Sequence, residues 1–531
     1  MTSAALTMDQ DLWQPRYNPW LIAVVVAMAA FMEVLDTSIA NVALPYMAGN
    51  LGASNDQSTW VLTSYLVSNA IVLPISGWLA GAFGRKRFFM TCLGVFTVSS
   101  VLCGVAPSLG VLLFFRVLQG AGGGGLQPMA QAILADTFPP QRRGLAFALY
   151  GVTAIMAPTI GPTLGGWITF NYSWRWIFFI NIPVGLVTWF LVRLFIEDPP
   201  YLSRLKSAGV KLDYVGIALL ALGVGALQIL LDKGQEDDWF GSSFITTLAI
   251  MAALCLIGLV LWEWFQKAPI IEVRMFKNFN FASASLMMFI LGIVLFSSLV
   301  LMPQFLQTLL GYTSELAGLA LSAGGLVLLF EMPIVGQLTT KVPARYLIAF
   351  GWLSLFIAMF YSTKRIDLEM SFNAAVWLRI AQVFGLGFLF VPITLVAYIG
   401  ISPEKNNAVA GIVNFMRNMG SSVGTSLVTT VIARRSQFHQ ARLVQYAGAD
   451  NPNFQDLVNG LSERLAHSGL GAYGAHQQAI ARIYRELQAQ AANLAYIDAF
   501  MVLAVGAGIM FCLAFALKKN APGGGGITAE G

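Results

Sequence analysis

The chain has 531 residues, of which 57% are hydrophobic and only 11% are charged, and its formal net charge is +5. Soluble globular proteins carry about 25% charged residues, so this composition excludes a soluble protein and predicts a polytopic membrane protein. Little chain is left for a soluble module, and we expect neither an enzyme nor a nucleic-acid-binding protein.

Fourteen apolar segments are long enough to cross a bilayer, which takes about 20 helical residues. The first follows Asp9 and Asp11 and has no small-residue cleavage site, so we expect it to remain as a span and not to be removed as a signal peptide. The predicted spans are 20–43, 58–80, 88–107, 109–135, 144–168, 175–196, 212–232, 242–265, 281–307, 314–338, 345–362, 372–399, 407–433 and 494–517.

Basic residues are concentrated in the loops that follow even-numbered spans. Because short loops rich in Lys and Arg stay in the cytoplasm, we expect both termini to be cytoplasmic. The long loop before span 14 also carries arginines, but long loops cross the membrane largely regardless of charge. The residues that set the pattern are Arg85, Lys86, Arg87, Arg142, Arg143, Arg193, Arg204, Lys206, Lys211, Lys267, Arg274, Lys277, Lys341, Arg345, Lys405, Lys518 and Lys519.

No motif for a metal or a nucleotide is evident. The four cysteines lie in apolar spans without CxxC spacing, and the three histidines lie in one polar loop. The glycine run 122–125 is not followed by the Lys-Ser/Thr of a phosphate-binding loop. We therefore expect no metal and no cofactor, and an ion gradient as the energy source.

A weak internal repeat relates the two ends of the chain. The Arg-x-x-Gln pattern at 116–119 recurs at 379–382, and the Gly-x-Leu pattern at 77–79 recurs at 336–338. Two parallel halves around a central site are typical of secondary transporters. The predicted domains are a cytoplasmic N-terminus at 1–19, a six-helix half at 20–196, a linker with two extra spans at 197–280, a second six-helix half at 281–517 and a cytoplasmic glycine-rich tail at 518–531.

One sizeable polar segment, 435–493, lies within the second half and is predicted to be periplasmic. Its apolar residues recur at helical spacing, which predicts short amphipathic helices. Two interpretations remain open: a lid on the protein's own outer surface, or a docking surface for another protein.

Two acids lie inside the first span. Glu33 and Asp36 are three residues apart, so they share one face of a helix and can share a cavity. A charge in hydrocarbon is costly and usually marks an ion or proton pathway. Arg116 in span 4 is the natural counter-charge. The alternative for Glu33 is a polar group that is satisfied by hydrogen bonds.

The chain resembles the fourteen-span drug:proton antiporter branch of the major facilitator superfamily, of which EmrB and QacA are examples. Within that branch, a Leu-Gln-x-x-Leu-Asp run and a long last outer loop look most like the EmrB type. The motifs that carry the resemblance are Leu35–Pro45 with Asp36, Gly77–Arg87, Arg116–Gly120, Gly161–Gly166 and Trp174–Gly185.

The resemblance implies a fold and a set of site residues. It implies the major facilitator fold, with two six-helix halves plus two extra helices, and proton coupling by Asp36, Glu33 and Arg116. The candidate substrate residues are Gln119, Phe289, Phe296, Gln304, Gln307, Glu331, Arg379 and Gln382. The candidate conformational residues are Gly77, Gly84, Arg85, Lys86, Gly161, Pro162, Gly165 and Gly166.

Several of these assignments have alternatives. Glu331 either selects cationic drugs or packs a helix, Arg379 is either functional or structural, and the glycines of span 5 either permit rocking or only close packing. The family's usual acid after span 2 is Gly81 here, which puts the usual charge latch in doubt. Its usual Asp-x-Thr motif reads Asp36-Thr37-Ser38, which keeps a hydroxyl.

The resemblance implies a proton-coupled exporter of amphipathic drugs that works by alternating access in the bacterial inner membrane. It also implies a periplasmic adaptor of the EmrA type and an outer-membrane channel of the TolC type. The alternatives are a metabolite or siderophore carrier on the same fold, as exporter or importer, and a membrane enzyme or sensor, which clustered catalytic groups or a large soluble module would favour.

Overall fold

The computed structural model describes residues 15–199, 213–267, 269–448, 450–468 and 471–517. Most of the predicted N-terminal segment, residues 200–212 of the linker with Arg204, Lys206 and Lys211, and the glycine-rich tail 518–531 lie outside the described residues. Every regular element of the described ranges is helical, and we number the α-helices α1 to α18 in chain order.

Local sequence signals define where the first helices begin and end. Pro19 opens α1, the Asn18 side chain accepts a hydrogen bond from the Trp20 amide, and Gly52 ends the helix at φ +64°. Ser54 then begins α2 with a capping box. The helices of the first half are α1 Pro19–Leu51, α2 Asn55–Phe83, α3 Arg85–Gly104, α4 Leu109–Gly123, α5 Leu126–Thr137, α6 Arg143–Asn171, α7 Trp176–Phe179 and α8 Asn181–Phe195.

The predicted span 109–135 is interrupted between α4 and α5 by its glycine run. A Cβ atom at Gly122 would lie 2.7 Å from the Phe96 backbone nitrogen, and one at Gly124 would lie 2.7 Å from the Asn69 carbonyl oxygen. The run therefore lets α2, α3 and α4 approach closely, which gives these glycines a packing role.

Two extra helices follow the first half and pack on each other, and the first of them also packs on α2. They are α9 Tyr214–Lys233 and α10 Ser243–Phe265. The second half then repeats the arrangement of the first. Its helices are α11 Phe279–Thr308, α12 Ser314–Leu338, α13 Ala344–Arg365, α14 Phe372–Phe384, α15 Gly387–Ala397, α16 Asn406–Val444, α17 Pro452–His467 and α18 Ala472–Ala514.

Thirteen stretches of helix in the described part of the chain are long and apolar enough to cross a membrane. They match thirteen of the fourteen predicted spans. The remaining one, 407–433, lies in α16, whose polar residues are buried among α2, α5, α11 and α18 and not exposed to lipid. Its low hydropathy follows from this central position, and the all-α polytopic fold is confirmed.

The outer segment 435–493 differs from the prediction of short helices. Only α17 is short, because α16 and α18 continue outward as single helices of 39 and 43 residues. Each is about 60 Å long, roughly twice the thickness of the hydrocarbon core. We call the helical part of 435–493 the crown.

The two halves touch closely at the end of the bundle that holds the loops 84–87 and 139–143, which is the predicted cytoplasmic end. A Cβ atom at Gly77 would lie 2.9 Å from the Ala408 backbone, and one at Gly336 would lie 3.0 Å from the Gly144 carbonyl oxygen. Glycine at these positions lets α2 meet α16 and α6 meet α12.

Candidate functional site

The carboxylate of Asp36 lies at the centre of a buried polar cluster in the first half. Arg116 Nη1 donates to Asp36 Oδ2 at 2.7 Å, while Gln119 Nε2 and Asn181 Nδ2 donate to Asp36 Oδ1 at 3.0 and 2.6 Å. Asp36 is 3% exposed and Arg116 is 0% exposed. The structure thus brings Asp36, Arg116 and Gln119 together as one buried ion pair with amide donors.

Further contacts hold Arg116 in place. Its Nε donates to the Val61 carbonyl oxygen at 3.0 Å, Nη1 also donates to Gln119 Oε1 at 2.8 Å, and the guanidinium lies 4.3 Å from the centre of the Tyr65 ring. The cation is therefore neutralised by one carboxylate and supported by a π face and a carbonyl.

Glu33 lies one helical turn from Asp36 but has different partners. Tyr65 Oη donates to Glu33 Oε1 at 3.1 Å, Asn69 Nδ2 donates to the same oxygen at 3.0 Å, and Gln127 Nε2 donates to Oε2. The shared cavity expected for the two acids is thus divided into two adjacent hydrogen-bond networks.

The Glu33 network reaches across to the second half. Arg417 Nη2 on α16 donates to Gln127 Oε1, and Asn414 Nδ2 donates to Gln131 Oε1 at 2.7 Å. The Tyr150 hydroxyl lies 3.2 Å from both Gln127 Oε1 and Asn414 Oδ1. All of these side chains are buried. The Glu33 carboxylate in one half is therefore linked through the Gln127 amide to the Arg417 cation in the other.

Sequence reasoning missed several members of these networks. Arg417 is a charge inside predicted span 407–433, so the criterion that singled out Asp36 also applied to it. Asn181 lies within the quoted motif 174–185, but nothing in that motif indicated its contact with Asp36. Gln127 and Asn414 carry no local signal, because neutral amides are common in helix packing.

In the second half, the structure separates Arg379 from Glu331. Arg379 Nη1 on α14 donates to Ser298 Oγ at 3.1 Å, and Gln382 Nε2 donates to Ser362 Oγ at 3.0 Å. Glu331 on α12 is 6% exposed, no side chain of the described residues pairs with its carboxylate, and that carboxylate faces the backbone amides of Gly387 and Phe388. Its carboxylate lies beside Gly387, where α15 begins.

The candidates on α11 do not form one surface. Phe289 packs with the cluster that contains Ala70 and Met419, between the extra helices and α16. Phe296 is half-buried in the main core, and Gln304 and Gln307 are exposed. The structure therefore does not bring these four residues to the Asp36 cluster or to Arg379.

The glycines of α6 lie directly against α1 beside Asp36. A Cβ atom at Gly161 would overlap the Ser38 side chain, and one at Gly165 would lie 3.0 Å from the Ile39 carbonyl oxygen. Ser38 Oγ also donates to the Pro158 carbonyl oxygen at 3.1 Å. Gly166 makes no comparably close approach, and Pro162 lies within α6 without breaking it.

The loop after α2 forms a latch that joins the two halves. Gly84 has φ +88°, and Arg85 Nη1 lies 2.5 Å from Asp136 Oδ2. Asn406 Nδ2 at the start of α16 donates to Asp136 Oδ1. Lys86 does not contact Asp136 in this way; its backbone amide donates to Asp198 Oδ1 at 2.7 Å. A Cβ atom at Gly81 would meet open space, so Asp136 supplies the acid in this latch.

A model of the Major Facilitator Superfamily matches residues 26–425. Solved structures share the fold at low identity: the proton:xylose symporter XylE has a TM-score of 0.60 and 14% identity, with 96% of this chain and 97% of that chain covered. The human organic anion transporter MFSD10 has a TM-score of 0.53 and 14% identity, with 92% and 100% covered.

Similar curated proteins span nearly the same length. The multidrug export protein EmrB of Escherichia coli K12 is 36% identical over 514 residues, covering 96% of this chain and 98% of that protein. EmrB of Haemophilus influenzae is 38% identical, covering 86% and 89%. The fatty acid resistance protein FarB of Neisseria gonorrhoeae is 38% identical, covering 84% and 87%. The chain belongs to the major facilitator superfamily and, within it, to the family of EmrB-type export proteins.

Proposed function

We propose that this protein exports amphipathic drugs and other toxic compounds in exchange for protons. The observation that carries the proposal is the buried ion pair between Asp36 and Arg116, one turn from a second acid whose network reaches Arg417. The names of its relatives, multidrug export and fatty acid resistance, support export of amphipathic compounds. They do not favour the alternative, a metabolite or siderophore carrier.

Proton binding to Asp36 would change the cluster in a defined way. The ionised carboxylate accepts from Arg116, Gln119 and Asn181, and a proton on one oxygen removes the charge that holds the guanidinium. Breaking a buried ion pair on one side costs about 3–5 kcal/mol. That free energy is available to shift α4 and α8 relative to α1.

Glu33 would couple this change to the second half. Its carboxylate holds Gln127, and Gln127 accepts from Arg417 on α16. A neutral Glu33 weakens the hold on Gln127 and so on the contact between the halves. Exchange requires that proton and substrate bind different conformations, which such a link provides.

Glu331 is our candidate for recognition of cationic drugs. It is buried, no cation among the described residues pairs with it, and the backbone amides of Gly387 and Phe388 that it faces leave its charge unneutralised, which is energetically costly at this depth. A drug cation would supply the missing counter-charge.

The proposal places the protein in the bacterial inner membrane with both termini in the cytoplasm and the crown outside. An EmrA-type adaptor would contact the crown and lead to a TolC-type channel. The energy source is the proton gradient, without a cofactor.

The test uses inside-out membrane vesicles with an acid interior. Adding a lipophilic cationic drug should release protons from wild-type vesicles, and Asp36→Asn should abolish that release at normal expression. Asp456→Asn removes an exposed acid of α17 and should behave as wild type. If the Asp36→Asn variant releases protons as fast as wild type, the proposed role of Asp36 is refuted. If the wild-type protein releases no protons with any drug of a broad panel, drug:proton exchange is refuted.

A further inference from the structure

The second half contains a counterpart of the Asp36 cluster. Four of its polar residues lie 262 or 263 positions after residues of that cluster. Asp36, Ser100, Arg116 and Gln119 correspond in this way to Ser298, Ser362, Arg379 and Gln382.

The arginine contact corresponds as well as the positions, while the glutamines differ, because Gln119 donates to Asp36 and Gln382 donates to Ser362. Arg116 Nη1 donates to Asp36, and Arg379 Nη1 donates to Ser298 Oγ at 3.1 Å. In the first half, Ser100 Oγ accepts from Asn181, and in the second, Ser362 Oγ accepts from Gln382 Nε2 at 3.0 Å. The counterpart has therefore kept the cation and replaced the carboxylate by a hydroxyl.

This replacement leaves Arg379 without a counter-charge in the described part of the chain. Arg379 is 1% exposed, and no carboxylate among the described residues forms an ion pair with it. Each arginine has one unpartnered nitrogen, Nε in Arg379 and Nη2 in Arg116, so the two differ in the counter-charge and not in the number of unused donors. Gln382 Oε1 also lacks a partner. A buried guanidinium in this state is costly unless an anion reaches it.

Glu331 does not fill this role. The Arg379 side chain lies beside Gly324 of α12, and the Glu331 carboxylate lies beside Gly387. Gly324 and Glu331 are two helical turns apart on α12, which corresponds to about 10 Å along the axis. The second half thus holds two separate buried charges of opposite sign.

We propose that Ser298, Arg379 and Gln382 form a binding site for a monovalent anionic group, occupied by the carboxylate of an amphiphilic organic anion that the protein exports. The inference rests on the proposed export function and extends it to substrates of negative charge. A guanidinium binds a carboxylate through two parallel hydrogen bonds, and Arg379 has an unused donor for it. Because Arg379 is buried in this conformation, an anion can reach it only if α11 or α12 moves away from α14.

The sharpest variant restores the carboxylate of the first half. Ser298→Asp places a carboxylate at the position that corresponds to Asp36 in the first half. That carboxylate should form an internal ion pair with Arg379 and so compete with an external anion. Ser298→Asn is the matched control, since it has the same size without the charge. Arg379→Gln removes the cation, and Arg379→Lys retains it.

Binding is measured by calorimetry on the full-length protein in lipid nanodiscs, with empty nanodiscs as the blank. The ligands are laurate and dodecyltrimethylammonium, which share one alkyl chain and differ in head-group charge. We expect Ser298→Asp and Arg379→Gln to weaken laurate binding at least about tenfold, with Ser298→Asn within about threefold of wild type. Arg379→Lys keeps the charge but not the paired donors, so its affinity should lie between that of Arg379→Gln and that of wild type. Dodecyltrimethylammonium should bind all variants equally.

Equal laurate affinity in Ser298→Asp and Ser298→Asn would overturn the proposal, as would parallel losses of both ligands. Replacing sulfate by chloride at constant ionic strength distinguishes the two sources of the anion. Loss of laurate binding in chloride would identify a free inorganic ion as the occupant and overturn the organic carboxylate, whereas unchanged laurate binding in chloride supports the organic carboxylate. Drug-dependent proton release by the same variants reports on the export function separately, because a cationic drug does not use this site.

Discussion

Arg116 and Arg379 show how strongly one neighbour changes the state of a buried guanidinium. Both are almost fully buried and both are followed by a glutamine three residues later. Arg116 meets Asp36 and is neutral as a pair, whereas Arg379 meets the hydroxyl of Ser298. The desolvation cost is similar at both positions, but only the first half offsets it with an internal carboxylate.

Replacement of Glu33 by Gln tests the second acid of α1. The amide has nearly the same shape but no charge and cannot carry a proton, so we expect drug-dependent proton release in vesicles to fall at least about fivefold. Glu33→Asp keeps the charge on a shorter side chain and serves as the control, which should retain more release than Glu33→Gln.

Unchanged proton release in Glu33→Gln would assign Glu33 the other role left open by the sequence. It would then be a buried polar group whose contacts with Tyr65, Asn69 and Gln127 only fix the helices.

At the scale of elements, α16 and α18 serve both the membrane bundle and the crown. Within the bundle α16 presents polar residues to α5, and beyond it Arg435 lies 2.5 Å from Asp498 of α18. α17 packs on α18 through Leu465, Ala475 and Ala479. The crown carries an open apolar cavity of about 480 Å³, a groove lined by the facing sides of these three helices.

Replacement of Leu457 by Glu tests whether the crown binds an adaptor. Leu457 lines this cavity and is 56% exposed, so a charge there should disturb a partner more than the fold. We expect unchanged proton release in isolated vesicles, which need no partner, and drug resistance of whole cells lower by about fourfold or more. Leu457→Met keeps an apolar side chain and should leave both unchanged.

Equal resistance for Leu457→Glu and Leu457→Met would contradict a docking role for this part of the crown. The interpretation as a lid would then account better for the segment, particularly if proton release also changed.

At the scale of the molecule, the described conformation is held closed at the predicted cytoplasmic end. Asp136 bridges Arg85 of the first half and Asn406 of the second, and the glycines of α2, α6 and α12 allow backbone contact beside it. Alternating access requires this end to open, so the latch sets part of the free-energy difference between the two states.

Replacement of Asp136 by Asn should favour opening of that end. Arg85 would lose its buried counter-charge, which costs about 3–5 kcal/mol in the closed state. In a chain without native cysteines, we expect Thr339→Cys, which faces Gly144 across the closed interface, to react with a water-soluble maleimide at least about tenfold faster. Glu404→Gln, an exposed acid at the same end, is the control.

Equal labelling rates in Asp136→Asn and Glu404→Gln would show that the glycine contacts alone keep this end closed. The latch would then contribute little to the conformational equilibrium.

The sequence predicted most of the bundle because apolar runs and loop charges are local properties. It also indicated Asp36 and Arg116, since a charge in a span is conspicuous by itself. The link from Glu33 through Gln127 to Arg417 was not predictable, because it joins neutral amides and a cation from segments far apart in the chain. The prediction of short helices in the crown was wrong because α16 and α18 run on from the bundle without a break, and a change of composition along the chain does not mark the end of a helix.

The length of α16 makes it a lever. Arg417 and Val444 lie on one unbroken helix, separated by 27 residues or about 40 Å. If that helix pivots near Arg417 by about 10°, its outer tip is displaced by about 7 Å. Protonation of Glu33 would thus move the crown by several ångströms. A protein bound to the crown would be displaced by that distance in each transport cycle.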